Sequence, residues 1–318
     1  MEGLVKEFLC YLEYERGRSA HTVESYGADL GAFCEYIHRL DPELGWEDVD
    51  VSIVRGWMEE MADSGNKPAS VNRRLSSLRA LFRYAVSRGK LQRDPVYHIK
   101  GLKKEEPLPQ YLRESEMERL LDKDCWNDSF EDLRSRTIIL TFYSTGIRLA
   151  ELQGLNDSSI DNVQDRLKVL GKRNKERLIP FGTELKTELA YYQAKRNEKF
   201  GVGDGALFVN DKGLRMTPEQ IRKDVIRNVS KVTTMKKRSP HVLRHTFATA
   251  MLANGSGIES VQKFLGHESV STTEIYTHTT FVQLREAYSK AHPRGGSRKG
   301  QSPEGNNSPL EVPADDDR

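Results

Sequence analysis

Apolar positions recur at helical spacing through the first 106 residues. Leu4, Phe8, Tyr11 and Leu12 make one face of an opening helix. Behind Ser19, a residue able to cap a helix, Val23, Tyr26, Leu30, Phe33, Cys34 and Ile37 form a second stripe. Leu40 to Trp46 contains Pro42 and Gly45 and reads as a loop. A third helix spans roughly Val51 to Ser64, with Ile53, Val54, Trp57, Met58 and Met61 inward and Gly65 as its stop. The fourth runs from Ala69 to Arg88 and ends at Gly89, with Val71, Leu75, Leu78, Phe82 and Ala85 as its core face. The pattern predicts a small helical bundle over 1–106. Gly101 to Gln110 has two prolines and no apolar period, and reads as a linker.

A second domain, 107–294, follows. Ser115 to Leu121 starts a helix. Leu133 to Ser144, with Ile138, Leu140, Thr141 and Tyr143, is a denser one closed by Thr145-Gly146. Arg166 to Pro180 carries the β signal: Leu167 and Val169, then Leu178 and Ile179, flank a polar turn and predict a hairpin. Thr183 to Lys199 reads as a charged helix, Ala206 to Val209 as a short buried segment, and Thr217-Pro218 as the start of a basic helix. Ser239-Pro240 is another start signal, with Ser239 as cap and Leu243, Phe247, Ala250 and Met251 buried. Ser271 and Glu274 make a capping box, which puts Tyr276 in a second turn. Phe281 to Ala291 reads as a last helix stopped by Pro293. Its Phe281, Val282 and Leu284 predict an apolar patch that needs a partner. Residues 295–318 are Gly-, Ser-, Pro- and Asp-rich without period, and read as a disordered tail.

Net charge is only +2, but it is segregated. Lys67 to Lys104 holds eleven Lys/Arg and one acid, and Arg215 to Arg238 holds eight against two. Such blocks suit a phosphate-backbone binder, though a solvated helix face explains either one alone. Arg73, Arg74, Arg79 and Arg83 stand off the core face of the fourth helix, where they can reach phosphates. No run approaches the ~20 apolar residues of a membrane span. The N-terminus lacks signal-peptide features, so a cytoplasmic protein is expected. Cys10, Cys34 and Cys125 are odd in number and widely spaced, which indicates neither a disulfide framework nor zinc.

The chemistry concentrates between Ser239 and His278. His241 and Arg244 lie three apart in the first turns of a predicted helix, where the dipole and unpaired N–H groups favour an anion. His267 and Tyr276 follow. Taken alone, each reads as packing or surface; together they predict a phosphate site. Upstream, Arg148 follows a Gly turn and Glu151 stands three residues on, either orienting it or simply pairing with it. Lys172 lies at the hairpin turn, with Lys175 as its competitor.

HVLRHTFAT, LGHESVSTTEIYTH and TGIRLAEL resemble the motif boxes of the tyrosine recombinase (phage integrase) family. The run YTHTTFVQLREAYSKAHPR resembles the XerC/XerD-type site-specific recombinases in particular. The resemblance covers residues 1–294; Arg173 stands where family members commonly have Gly. It implies a mainly α fold. An N-terminal four-helix SAM-like core-binding bundle would clamp DNA, and a mixed α/β catalytic domain, mostly helical with a small antiparallel sheet, would follow. It further implies Tyr276 as nucleophile, forming a 3′-phosphotyrosyl bond, with Arg148, Lys172, His241, Arg244 and His267 around it and Glu151 behind Arg148. Double-stranded DNA with a short palindromic-type site would be the substrate, held by a tetramer on two sites. A second related recombinase and an activating division protein are further implied partners. Neither a metal nor another cofactor is expected. The expected role is resolution of chromosome dimers at division. A mobile-element or integron-type integrase, a type IB topoisomerase-like enzyme and a catalytically inactive DNA-binding architectural protein are the alternatives.

Overall fold

The computed structural model describes residues 1–103, 110–171, 175–203, 205–266 and 278–295, with the side chains of 278–280 set aside. Lys172, His267, Tyr276, the Ser271–Glu274 capping box, most of the linker and the tail from 296 lie outside the described residues. The chain forms two compact units, Met1–Pro107 and Leu108–Arg318.

The first unit is a bundle of four helices. α1 (Glu2–Cys10) continues through a wider π turn, Tyr11–Glu15. α2 (Ala20–Leu40) is capped by Ser19, whose Oγ accepts from the Thr22 N–H. α3 (Val51–Asp63) is capped by Asp50, and α4 is Pro68–Ser87. Leu30, Phe33, Val54, Trp57, Val71, Leu75 and Leu78 close one core, with Phe33 edge-on to Trp57 at 4.8 Å. Trp46 belongs to that core although it sits in a loop, because its indole N–H finds the Met1 carbonyl at 2.9 Å.

The arginines of α4 divide. Arg73 donates to the buried Asp29 carboxylate at 2.5 Å, Arg74 lies 3.9 Å from the same group, and Arg79 donates to the Ile99 carbonyl. A buried carboxylate needs such partners, which Arg73 and Arg74 supply, while the Arg73 side chain stays half exposed. Arg83 is exposed.

The second unit is built around α6 (Phe130–Thr145), which begins three residues earlier than the pattern predicts because Ser129 caps it through the Asp132 N–H. Every residue from Arg134 to Thr145 on it is buried. Thr137, Thr141 and Thr145 each return their hydroxyl to the carbonyl four residues back, so a polar sequence can sit in a core. α5 (Glu114–Leu121) and α7 (Leu149–Gln153) flank it. A three-stranded antiparallel sheet follows: β1 (Ile160–Asp161), β2 (Arg166–Leu170) and β3 (Glu176–Pro180). In the predicted hairpin Leu167 pairs with Ile179 and Val169 with Arg177. α8 (Thr183–Phe200), α9 (Pro218–Val229), α10 (Pro240–Ala253), α11 (Ile258–Leu265) and α12 (His278–Ala291) complete the unit.

Three sequence expectations need correction here. Ser239 precedes α10, but its side chain makes no capping bond; its carbonyl accepts from the Val242 N–H instead. Ala250 is only partly buried, unlike Leu243, Phe247 and Met251. The patch on α12 is largely internal. Leu284 joins the core and Phe281 is buried, with the Arg166 guanidinium 5.6 Å over its ring; Val282 alone of the three is exposed. α12 packs against β3, α10 and α11, which cover its apolar face without a second chain.

Candidate active site

Arg148 enters the site from a turn that only glycine can make. Gly146 ends α6 at φ +62°, and a Cβ there would sit 2.5 Å from the Phe247 ring. Arg148 then opens α7, and Glu151 turns back on it. The carboxylate accepts from the Arg148 N–H at 2.7 Å and from its Nη1 at 3.0 Å. Glu151 also takes a bidentate pair from Arg177 on β3, at 2.7 and 2.8 Å. Burial pushes the Glu151 carboxyl up, but hydrogen bonds and charge from Arg177 and Arg148 outweigh it and hold the group below its ordinary value.

Arg244, one turn into α10, is buried. It donates from Nη1 to the Gly146 carbonyl and from Nη2 to the Leu265 carbonyl, both at 2.6 Å. Burial and the neighbouring Arg148 push it down to about 10, so it remains charged at neutral pH. His241, at the first turn of α10, is pushed below its usual value by desolvation, then by His245, Arg244, Arg222 and Arg148. Its imidazole is therefore neutral at pH 7 and can accept a proton.

Three arginines converge on the last turn of α11. Arg177 Nε donates to the Phe264 carbonyl at 3.2 Å, Arg244 to that of Leu265, and Arg148 Nη2 to that of Gly266 at 3.0 Å. A helix C-terminus leaves such carbonyls without intrahelical partners and carries partial negative charge, so it suits cations. Gly266 takes φ +63° with the Arg177 guanidinium against its Cα face. His267 is the next residue in the chain.

The structure thus brings Arg148, His241 and Arg244 to the wall of one cavity of about 30 Å³, with Ser239 and Arg222 beside them. Lys175 is exposed on the hairpin. Arg177 is the site residue that the sequence pattern missed. The signal was present: strand alternation puts it in phase with Ile179 on the buried face. No group of three or more His, Cys, Asp or Glu that could hold a metal occurs among the described residues. None of the helices among them is long and apolar enough to cross a membrane.

Comparison with known proteins places the chain in a family. A model of the phage integrase family matches residues 110–282, and one of the phage integrase N-terminal SAM-like domain matches residues 5–89. The chain belongs to the phage integrase family and is a site-specific tyrosine recombinase, an enzyme of DNA recombination. Tyrosine recombinase XerC of Chlorobaculum tepidum is 38% identical, over 91% of this chain and 94% of that protein. Tyrosine recombinase XerD of Oceanobacillus iheyensis is 32% identical, over 92% and 99%. Among solved structures, XerH recombinase bound to palindromic difH in a post-cleavage complex aligns with a TM-score of 0.68 at 22% identity, over 90% of this chain and 84% of that one. The Tn1549 transposon integrase in complex with transposon right-end DNA gives 0.66 at 18%, over 89% and 98%. These two establish the likeness of fold.

Proposed function

We propose that the chain exchanges DNA strands by metal- and ATP-independent transesterification, with Tyr276 as nucleophile. The phenolic oxygen forms a bond to phosphorus while the P–O5′ bond breaks, leaving a 3′-phosphotyrosine and a free 5′-hydroxyl. One phosphoester replaces another, so no external energy source enters the balance. His241 takes the phenolic proton and Lys172 gives one to the departing 5′ oxygen. Arg148 and Arg244 hold the non-bridging oxygens, whose charge grows in the transition state, and His267 donates a further hydrogen bond. Glu151 fixes the plane of the Arg148 guanidinium. A second strand's 5′-hydroxyl then reverses the step and joins the ends.

The observation that carries this reading is the meeting of Arg148, His241 and Arg244 at one small cavity by the N-terminus of α10. Both guanidiniums are anchored from behind on backbone carbonyls, which supports preorganised stabilisation of a phosphate. The 1–106 unit is read as a second DNA-holding element, with Arg73, Arg74, Arg79 and Arg83 as its backbone contacts. The substrate is duplex DNA with a palindromic-type site, held by a tetramer on two sites, and the setting is the cytoplasm. The XerC and XerD relatives favour chromosome-dimer resolution over element mobility, with a paired recombinase and a division-protein activator as partners.

A nicked suicide duplex tests the chemistry. With chelator present and nucleotide absent, the wild-type chain is expected to form a covalent adduct on a denaturing gel, and Tyr276→Phe none. An adduct of normal yield from the Phe variant, or one that requires a divalent metal, would refute the mechanism.

A further inference from the structure

The cavity wall holds a cation that the chemistry above leaves unused. Arg222 sits one turn into α9, which packs on α7 and α10. That packing brings Arg222 to the same cavity as Arg148, His241 and Arg244. It is also close enough to His241 to act on its imidazole, behind burial, His245 and Arg244.

Its attachment differs from that of its neighbours. Arg148 and Arg244 are each tied to backbone carbonyls of the core. Among the described residues, the hydrogen-bond partner of Arg222 is Glu219, one turn back on its own helix, with Nη1 to Oε2 at 2.9 Å. Both side chains are about half exposed, at 49% and 58%. Exposed ion pairs at this spacing contribute little to stability. A phosphate can therefore draw the guanidinium away from Glu219 at small cost. The cavity is small, about 30 Å³, so Arg222, Arg148 and Arg244 border the same confined space.

We propose that Arg222 is a further phosphate ligand of this site: on DNA binding it leaves Glu219 and donates to a non-bridging oxygen of the phosphodiester held by Arg148 and Arg244. This rests on the strand-exchange reading of the cavity. The contact adds a third guanidinium to the transition state, from a side chain placed by DNA rather than by the core.

Single-turnover cleavage of suicide duplexes tests it. Wild type, Arg222→Ala and Arg222→Lys are compared on three substrates: unmodified, with a neutral methylphosphonate at the cleaved position, or with one at either adjacent phosphate. Arg222→Ala is expected to cut unmodified DNA about 10- to 100-fold slower than wild type, with Arg222→Lys recovering part of the loss. The deficit should shrink to under about threefold when the cleaved phosphate itself is neutral, because a charge-specific contact then has little to lose. It should persist when only a neighbour is neutral. A melting temperature equal to wild type is expected, since the side chain is exposed. The proposal is overturned if Arg222→Ala cuts unmodified DNA within about twofold of wild type. It is also overturned if the deficit survives neutralisation of the cleaved phosphate, or disappears only with an adjacent one. If wild type forms no adduct at all, the strand-exchange reading itself falls, and this inference with it. Where wild type does form the adduct, the comparison bears on Arg222 alone.

Discussion

His292 shows what a single side chain can impose. It lies at the end of α12, buried, stacked on Tyr288 at 4.8 Å and 8°, with Tyr143 and Phe247 rings on its other sides. Nε2 meets the Tyr143 carbonyl at 3.0 Å, and Nδ1 accepts from the Arg294 N–H. That pattern fits the neutral ring, with the proton on Nε2. Burial, more than the Arg294 charge, pushes its pKa down to about 3, while the bond to Tyr143 opposes the shift. A depressed histidine contributes stability that is complete above its unfolded pKa, near 6.5, and is lost as pH falls from there toward 3. The loss is on the order of a few kcal/mol by pH 4. Thermal melts between pH 7 and pH 4 are expected to fall more steeply for wild type than for His292→Phe, which keeps the stack but cannot titrate. Parallel slopes would contradict this.

Among the elements, the sheet and the short α7 meet through one carboxylate. Glu151 is buried and holds Arg148 and Arg177 together. Removing Arg177 takes two hydrogen bonds from this buried carboxylate and leaves Arg148 as its charged partner among the described residues, so Arg177→Met is expected to cost on the order of 3 kcal/mol. The double variant Glu151→Leu, Arg177→Met should cost less than the sum of the two single changes. Urea denaturation measures both, and strict additivity would argue against the shared pairing. Much at this scale is legible in the sequence. The stripes of α2, α3 and α4, the hairpin and the Gly146 turn follow from periodicity and backbone sterics, which are local. What stays hidden depends on distant partners. Trp46 is buried because Met1 offers a carbonyl, and Arg73 is paired because Asp29 stands buried on α2. β1 is too short to declare a period, and α11 shows one only over two turns, in Val261, Phe264 and Leu265. The site follows the same division. Arg148, His241 and Arg244 stand out by residue type and spacing, whereas Arg222 becomes visible only once α9 is packed, and Arg177, in phase on the buried face of β3, meets its partner Glu151 only in the fold.

For the molecule as a whole, α12 decides how assembly can be studied. Leu284, Tyr288, Ala291 and His292 are all buried, so a chain cut after Thr280 loses part of its own core. Such a truncation is expected to unfold the 108–318 unit at 37 °C, seen as loss of near-ultraviolet circular dichroism. A native spectrum would restore the view that this helix serves a neighbour. Val282, 46% exposed, is the better probe: Val282→Glu is expected to stay within about 0.5 kcal/mol of wild type, leaving any loss of two-site synapsis attributable to contact between copies. The grip of Arg148, Arg177 and Arg244 on three successive carbonyls has an implication for timing. On the proposed mechanism, Arg148 and Arg244 would hold the phosphate while mooring the turn from which the chain runs on toward Tyr276. A pull on those two guanidiniums by an arriving phosphate would then be felt at the root of that segment, so that docking and the placing of the proposed nucleophile would be one event.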